Sequence, residues 1–509
     1  MKNLSKAALR IISHIRWTVF FAYLLIAVLV KAGDYSILFY HGSMNQWYTI
    51  SKELIVRVLI VASPFPFTGN TAKEVLLMKF PKLDKKSLTD GITIPHMVRV
   101  RQTFPDDCLT DPVGELQKQL SAHAGELAPA VKGQRIGITA GSRGVPYYKE
   151  LLRLLCRQLQ EWGASPFIFP AMGSHAGATT EGQKQHLAQF GICEEYLGVP
   201  VISTMETVQV DQLSNGMPVY CDKAAYEADG IILFNKIKPH THFKAPHESG
   251  LLKMICIGVG KHRGASAFHS LGYDHFGENL ERVSEAFLKK VRVFFSVGLT
   301  QSPSDHIGHL EVIPTPRLFQ EDARLQQLAR TEMPHLLLPR IDVLIIDEVG
   351  KEISGAGMDP NVTGRTERES QFAGFHKLAP DIEKIVLLDI TEKAHGNATG
   401  AGVADIISYR FVNKIDFAMT YTNIITAKSF HMGAMPLYAN SDKDAIEMAI
   451  AHSFLPDPAQ AKVVRIKNTI SLNELECSVA CIPDIQNIPA MEVISDPYDW
   501  KFNEEDNLW

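Results

Sequence analysis

From Gln134 onward, short apolar runs alternate with stretches whose apolar residues recur every three or four positions. QRIGITA (Gln134 to Ala140) has the length of a buried strand, and Tyr147 to Trp162 sets Leu151, Leu152, Leu154, Leu155 and Leu159 at helical spacing. SPFIFPAMGSH, beginning at Ser165, predicts a second strand running into a Gly-Ser-His loop. Glu181 to Phe190 returns to helix, and Gly230 to Phe234 (GIILF) predicts a third strand that stops at Lys236-Ile237-Lys238-Pro239-His240. Strands separated by helical stretches need crossover connections, which predicts a buried, mostly parallel sheet. A Pro-punctuated connector follows from Ile313 to Pro339. After it, Ile341 to Asp347 (IDVLIID), Lys384 to Asp389 (KIVLLD) and Asp416 to Thr422 (DFAMTYT) restart the strand rhythm, with a helix over Lys443 to His452. The expected architecture is α/β: two α/β domains with mostly parallel sheets, over 90–320 and 335–500, and an interdomain active-site cleft. No period is visible in the tail from Pro497 to Trp509.

Residues 1–85 break this pattern. Trp17 to Val30 reads WTVFFAYLLIAVLV behind Lys2, Lys6, Arg10 and Arg16, which suits a signal-peptide core or a short membrane anchor. No small-x-small cleavage site follows, and a leader upstream of a start near Met78 is the third reading. Membrane association through this segment is one expectation and a cytoplasmic location the other. The 509 residues carry 51 Lys and Arg against 56 Asp and Glu, a formal charge of -5, so no strong positive field recruits nucleic acid. Hydrophobic residues at 46% and charged residues at 21% match a chain whose bulk folds in water. Seven cysteines with no CxxC pair make neither a disulfide framework nor a zinc knuckle, and favour a reducing compartment.

Candidate chemistry concentrates in one segment. His240, His242, His247, His262, His269 and His275 fall close together, and imidazole both ligates metals and moves protons near neutral pH. Most of these suit solvated loops. His175 and His240 differ because each follows a strand, where ligands of open α/β sheets bind. Arg143 also follows a strand, and its planar fork suits a substrate carboxylate, although a plain surface arginine has the same pattern. Gly258, Gly260 and Lys261 form a GxGK that is no Walker A, since His262 stands at the Ser/Thr place; a phosphate turn and tight packing both remain open. Lys253 lies among Leu251, Leu252, Met254 and Ile255, where an ammonium is costly unless paired, modified or snorkelling outward.

These positions resemble the nickel-dependent lactate racemase family over roughly Gly133 to Ser270, and more loosely beyond. Ser142-Arg143-Gly144-Val145-Pro146 is similar to its arginine turn, Gly173-Ser174-His175-Ala176-Gly177-Ala178-Thr179 to one catalytic-histidine loop, and Pro239-His240 to the other. The family's cofactor-bearing lysine is followed sixteen positions later by a nickel-binding histidine, as Lys253 is by His269. The resemblance implies a racemase or epimerase of a small 2-hydroxy acid, with His175 and His240 catalytic, Arg143 holding the carboxylate and His269 binding nickel. It further implies a nickel-pincer nucleotide (pyridinium-3-thioamide-5-thiocarboxylic acid mononucleotide) on Lys253, with Gly258 and Gly260 beside it. A cofactor- or metal-binding relative without racemase activity is the alternative. The interval between His240 and Lys253 is longer than the family's, which leaves His242 as a competitor for the second role. Ala140 stands where an acid is usual. In the second domain, GKEISGAGMDPNVTGR offers Lys351 and Arg365 as substrate-binding candidates, with Asp359, Asn361, His395 and Asn397 nearby.

Overall fold

The computed structural model describes residues 80–83, 92–367 and 369–508, together with three short strands nearer the N-terminus. Two compact units divide at Lys79 and Phe80. In the first, β1 (Ile26–Lys31), β2 (Asp34–His41) and β3 (Gln46–Ser51) pair antiparallel in sequence order. Residues 17–25 of the apolar run lie outside the described residues, and its end enters β1. Among the described residues no helix is long and apolar enough to cross a membrane.

The second unit holds two main sheets. Its chain enters through β4 (Met97–Gln102), then builds β5 (Arg135–Ala140), β6 (Ser165–Pro170), a small hairpin of β7 (Thr207–Gln212) and β8 (Pro218–Asp222), β9 (Gly230–Lys236), β10 (Val293–Gln301) and β11 (Ile307–Pro314). Five of these make a sheet in the order β11-β10-β9-β5-β6, parallel except at the β11 edge. Crossover helices cover it because their apolar faces match: helix Tyr148–Glu161 buries Leu151, Leu152, Leu155 and Leu159 completely. Each such leucine contributes about 1.5–3 kcal/mol. The β5, β6 and β9 ends that bear Arg143, His175 and His240 therefore point the same way.

The second sheet uses β12 (Arg340–Val349), β13 (Asp381–Ile390), β14 (Ile406–Ile407), β15 (Leu437–Tyr438), β16 (Val463–Ile466), β17 (Glu474–Ser478) and β18 (Met491–Val493). Its order is β15-β14-β13-β12-β16-β17-β4-β18, parallel from β15 to β16 and antiparallel beyond. The two α/β sheets agree with the sequence pattern, and three details do not. β4 lies within the stretch assigned to the first domain yet pairs in the second sheet. Asp416 to Thr422 is helical, because Asp416 caps Met419 N–H at 2.8 Å and starts helix Phe417–Ala427. The aperiodic tail is folded: Tyr498 bridges Met97 and Trp500 is buried.

Candidate active site

Each turn that follows a first-sheet strand is held by its own neighbours. The Arg143 turn is fixed where His186 Nε2 meets Ser142 O at 2.8 Å. The His175 loop is held by Gln183, whose amide donates to Gly173 O (2.9 Å) and His175 O (3.4 Å). Gly173 has φ +59, and a Cβ there would come within 3.1 Å of Ile257, so this loop lies tight against the Met254–Val259 π-helical turn. The His240 loop is organised by Glu248, a fully buried carboxylate. Glu248 accepts from His240 N–H (2.6 Å), Lys244 Nζ (3.1 Å) and Arg330 (2.7 Å). His242 N–H donates to His240 Nδ1 at 3.1 Å, which assigns the neutral ring's proton to Nε2. His242 itself stacks on Tyr273, with ring centroids 5.1 Å apart.

Lys253 and His269 share one helical stretch, from helix Leu251–Lys253 through the π-turn to helix Lys261–His269. Asp322 anchors its start by accepting from Leu251 N–H at 2.6 Å, and is itself held by His247 Nδ1 at 2.7 Å. His269 Nδ1 donates to Ala265 O at 2.6 Å, leaving Nε2 as the lone-pair nitrogen. Rings join the histidines: Phe276 lies 5.5 Å from His269 and 6.1 Å from His240, centroid to centroid. Gly258 and Gly260 are buried packing positions. A Cβ at Gly258 would meet Ala171 O at 2.7 Å, and one at Gly260 would meet Cys256 O at the same distance. The GxGK lysine is structural too: Lys261 Nζ is fully buried against Asp222 (3.0 Å), Gln183 (3.2 Å) and the Pro170 carbonyl.

The electrostatics tie the remaining positions together. Lys253 has no hydrogen bond or ion pair from its ammonium among the described residues. Burial first, then the positive charges of Lys238 and Arg143, hold it down to about 7, against a weaker pull from Glu248. Its own charge in turn depresses His175, His240 and His269, so all three lie within its field. Burial is the first cause for each, and for His175, whose pKa falls to about 4, Arg143 comes next and Lys351 also contributes. His175 is nonetheless open to solvent, so its positive neighbours are the firmer cause. Lys236, lowered to about 8 by burial and by Lys238, and Lys238 itself extend the cationic group.

The second sheet contributes unevenly. Lys351 follows β12, is exposed and donates to Asn423 Oδ1, and burial and then the Arg143 charge lower its pKa. Asn361 Nδ2 reaches His240 O at 3.3 Å, held by Asp359, which caps helix Pro360–Thr363. Arg365 lies apart: its guanidinium binds Ile382 O (3.2 Å), Glu383 O (2.6 Å) and Asp405 (3.2 Å) at the opposite, N-terminal end of β13. A guanidinium occupied there braces the strand and is not part of the group. His395 is exposed on the turn after β13, and Asn397 is buried accepting from Thr399. Sequence reasoning missed Glu248, Asp322, His186, Lys236 and Lys238. The lysines were visible in KIKPH at the end of a strand; His186 and Asp322 act through contacts between distant segments, and Glu248 through its own loop and Arg330.

The fold and this group define an α/β protein that gathers amines and imidazoles at the carboxyl ends of parallel strands. Residues 127–279 match the model of the lactate racemase N-terminal domain, and that stretch is lactate racemase-like. No curated protein matches the chain. Among solved structures it is similar to the lactate racemase apoprotein from Thermoanaerobacterium thermosaccharolyticum, at 16% identity and TM-score 0.47, covering 74% of this chain and 99% of that one. It is also similar to a structural-genomics protein from Thermotoga maritima, at 15% identity and TM-score 0.41, covering 55% and 71% respectively.

Proposed function

We propose that the chain is an isomerase that racemises or epimerises a small 2-hydroxy acid, using a nickel-pincer nucleotide carried by Lys253. The observation that carries this reading is a half-buried amine, without an ion pair among the described residues and held to about 7, whose charge reaches His175, His240 and His269 together. The residues fit such a group. An amine about half neutral near pH 7 is a competent nucleophile for attachment, the open Nε2 of His269 suits Ni(II), and the cations Lys236 and Lys238 at the end of β9 suit a phosphate. When bound, the group supplies a reversible hydride acceptor, so that substrate passes through a planar 2-keto acid.

The chain's own residues supply proton movement and orientation. His175, neutral above about pH 4, would take the hydroxyl proton and become imidazolium, and His240 would return a proton to the keto oxygen from its own imidazolium form, so one of the two must carry an added proton at the start of each cycle. Inversion requires the two to exchange roles for the opposite enantiomer. Arg143 holds the carboxylate, with Lys351 beside it from the second sheet.

Protein purified from a cofactor-making host is the test. It should contain about one nickel per chain and convert a single enantiomer of a 2-hydroxy acid panel to the racemate. Nickel without turnover on any acid would remove the racemase assignment and leave a cofactor-binding protein; absence of nickel would remove both.

A further inference from the structure

We infer that Asp106, Cys108 and His306 form a second metal site, for one divalent transition-metal ion of the zinc or cobalt type. One ligand atom from each residue lies within 4.8 Å of the other two, and all three side chains are exposed. Tetrahedral ligands at zinc distances stand roughly 3.3–3.8 Å apart, so binding requires side-chain movement of about one ångström.

The backbones are already fixed for it. Leu109 N–H donates to Ile307 O at 2.8 Å, clamping the segment that carries Cys108 to the turn that carries His306. Ser304 serves both sides, with its N–H on Asp106 Oδ1 (3.3 Å) and its hydroxyl on His306 Nδ1 (2.7 Å). Ring and carboxylate are thus oriented before an ion arrives, as outer-shell groups do in metal sites.

The donor set decides the ion. A thiolate, an imidazole and one carboxylate select a borderline-soft dication over Mg(II) or Ca(II), and the two anionic donors neutralise it. Three protein ligands leave a fourth place for solvent. Cys108 is the one exposed cysteine of the seven.

The position gives the site a role. Asp106 and Cys108 lie on the connection from β4, in the eight-stranded sheet, to helix Pro112–Ala122, which packs on β11; His306 lies in the β10–β11 turn. A bound ion would pin the link between the sheets to the rim of the first. This inference is independent of the racemase reading, because it uses none of the residues assigned there.

The experiment is a Co(II) titration of the full chain after chelator treatment. One equivalent is expected to produce a near-ultraviolet thiolate-to-cobalt band that Zn(II) displaces. Cys108→Ser should abolish the band, and His306→Gln and Asp106→Asn should each weaken Co(II) binding at least about tenfold. Cys193→Ser, at the other cysteine that is not buried, should keep it. No band in the unmodified protein, a band that survives Cys108→Ser, or one lost in Cys193→Ser would overturn the site.

Discussion

Lys253 and Lys261 lie eight positions apart on one buried helical stretch, in opposite surroundings. Lys261 is enclosed by Asp222, Gln183 and a backbone carbonyl, and each member of its ion pair is restrained by the other against burial. Lys253 lies in the field of Arg143 and Lys238 and acts on three histidines, with no ion pair among the described residues. The same contrast separates the two sheets. In the second, Arg465 pairs with Asp347 and Glu476, Arg340 with Asp342, and Arg410 with Asp442. At the strand ends of the first, Glu248 is committed to Lys244 and Arg330, and Arg143, Lys238 and Lys253 depress one another's neighbours. A buried cation that is paired is architecture; a half-buried one left among like charges is costly to folding, a cost that the proposed cofactor would relieve.

Substitutions sharpen that contrast, starting with the largest effect. Lys253→Ala is expected to remove covalent cofactor and all measurable turnover, read by intact mass and by the racemisation assay. His175→Ala or His240→Ala should lower turnover by roughly 10²- to 10⁴-fold while the mass adduct and nickel remain.

At the paired end the damage should fall on stability. Asp222→Asn strands a buried ammonium and is expected to cost about 3–5 kcal/mol in denaturant unfolding. Asp222→Asn combined with Lys261→Met should recover much of this loss. If the single variant unfolded like the parent, the architectural reading of that pair would fail.

The unpaired end should show the reverse sign. In apoprotein the folded pKa of Lys253, about 7, lies below its unfolded value near 10.5, so the unfolded chain binds more protons between them. Its folding penalty is complete below about pH 7 and fades as pH rises through that window. Lys253→Met should therefore raise the melting temperature more at pH 6 than at pH 10. The smallest effect on turnover is expected at Arg365→Ala, which loses carbonyl contacts worth about 1–3 kcal/mol but should leave kcat near that of the parent.

How much of this was readable from sequence follows from what each signal measures. Strand-helix alternation reports burial, so β5, β6, β9, β12 and β13 were legible, as were Arg143, His175 and His240 at strand ends. The sixteen-residue spacing of the family it resembles pointed to Lys253 and His269, which the fold sets on one helical stretch. Asp416 to Thr422 misled because alternating apolar residues look like a strand until the cap at Asp416 is seen. Arg365 misled because residue type reveals a guanidinium but not which carbonyls occupy it. β4 belongs to the second sheet through pairing with β17, a contact between residues hundreds of positions apart that no local period encodes. Asp322 was hidden for the same reason, since His247 and Leu251 lie on another segment, while Glu248 binds its own loop, His240 and Lys244, together with the distant Arg330, in a way no residue type announces.

The most direct measurement is peptide-level mass spectrometry on protein purified in active form. A covalent nucleotide-sized adduct on the peptide containing Lys253, with Lys261 unmodified, is the expected result. Fully active protein whose Lys253 carries a free amine would contradict the assignment.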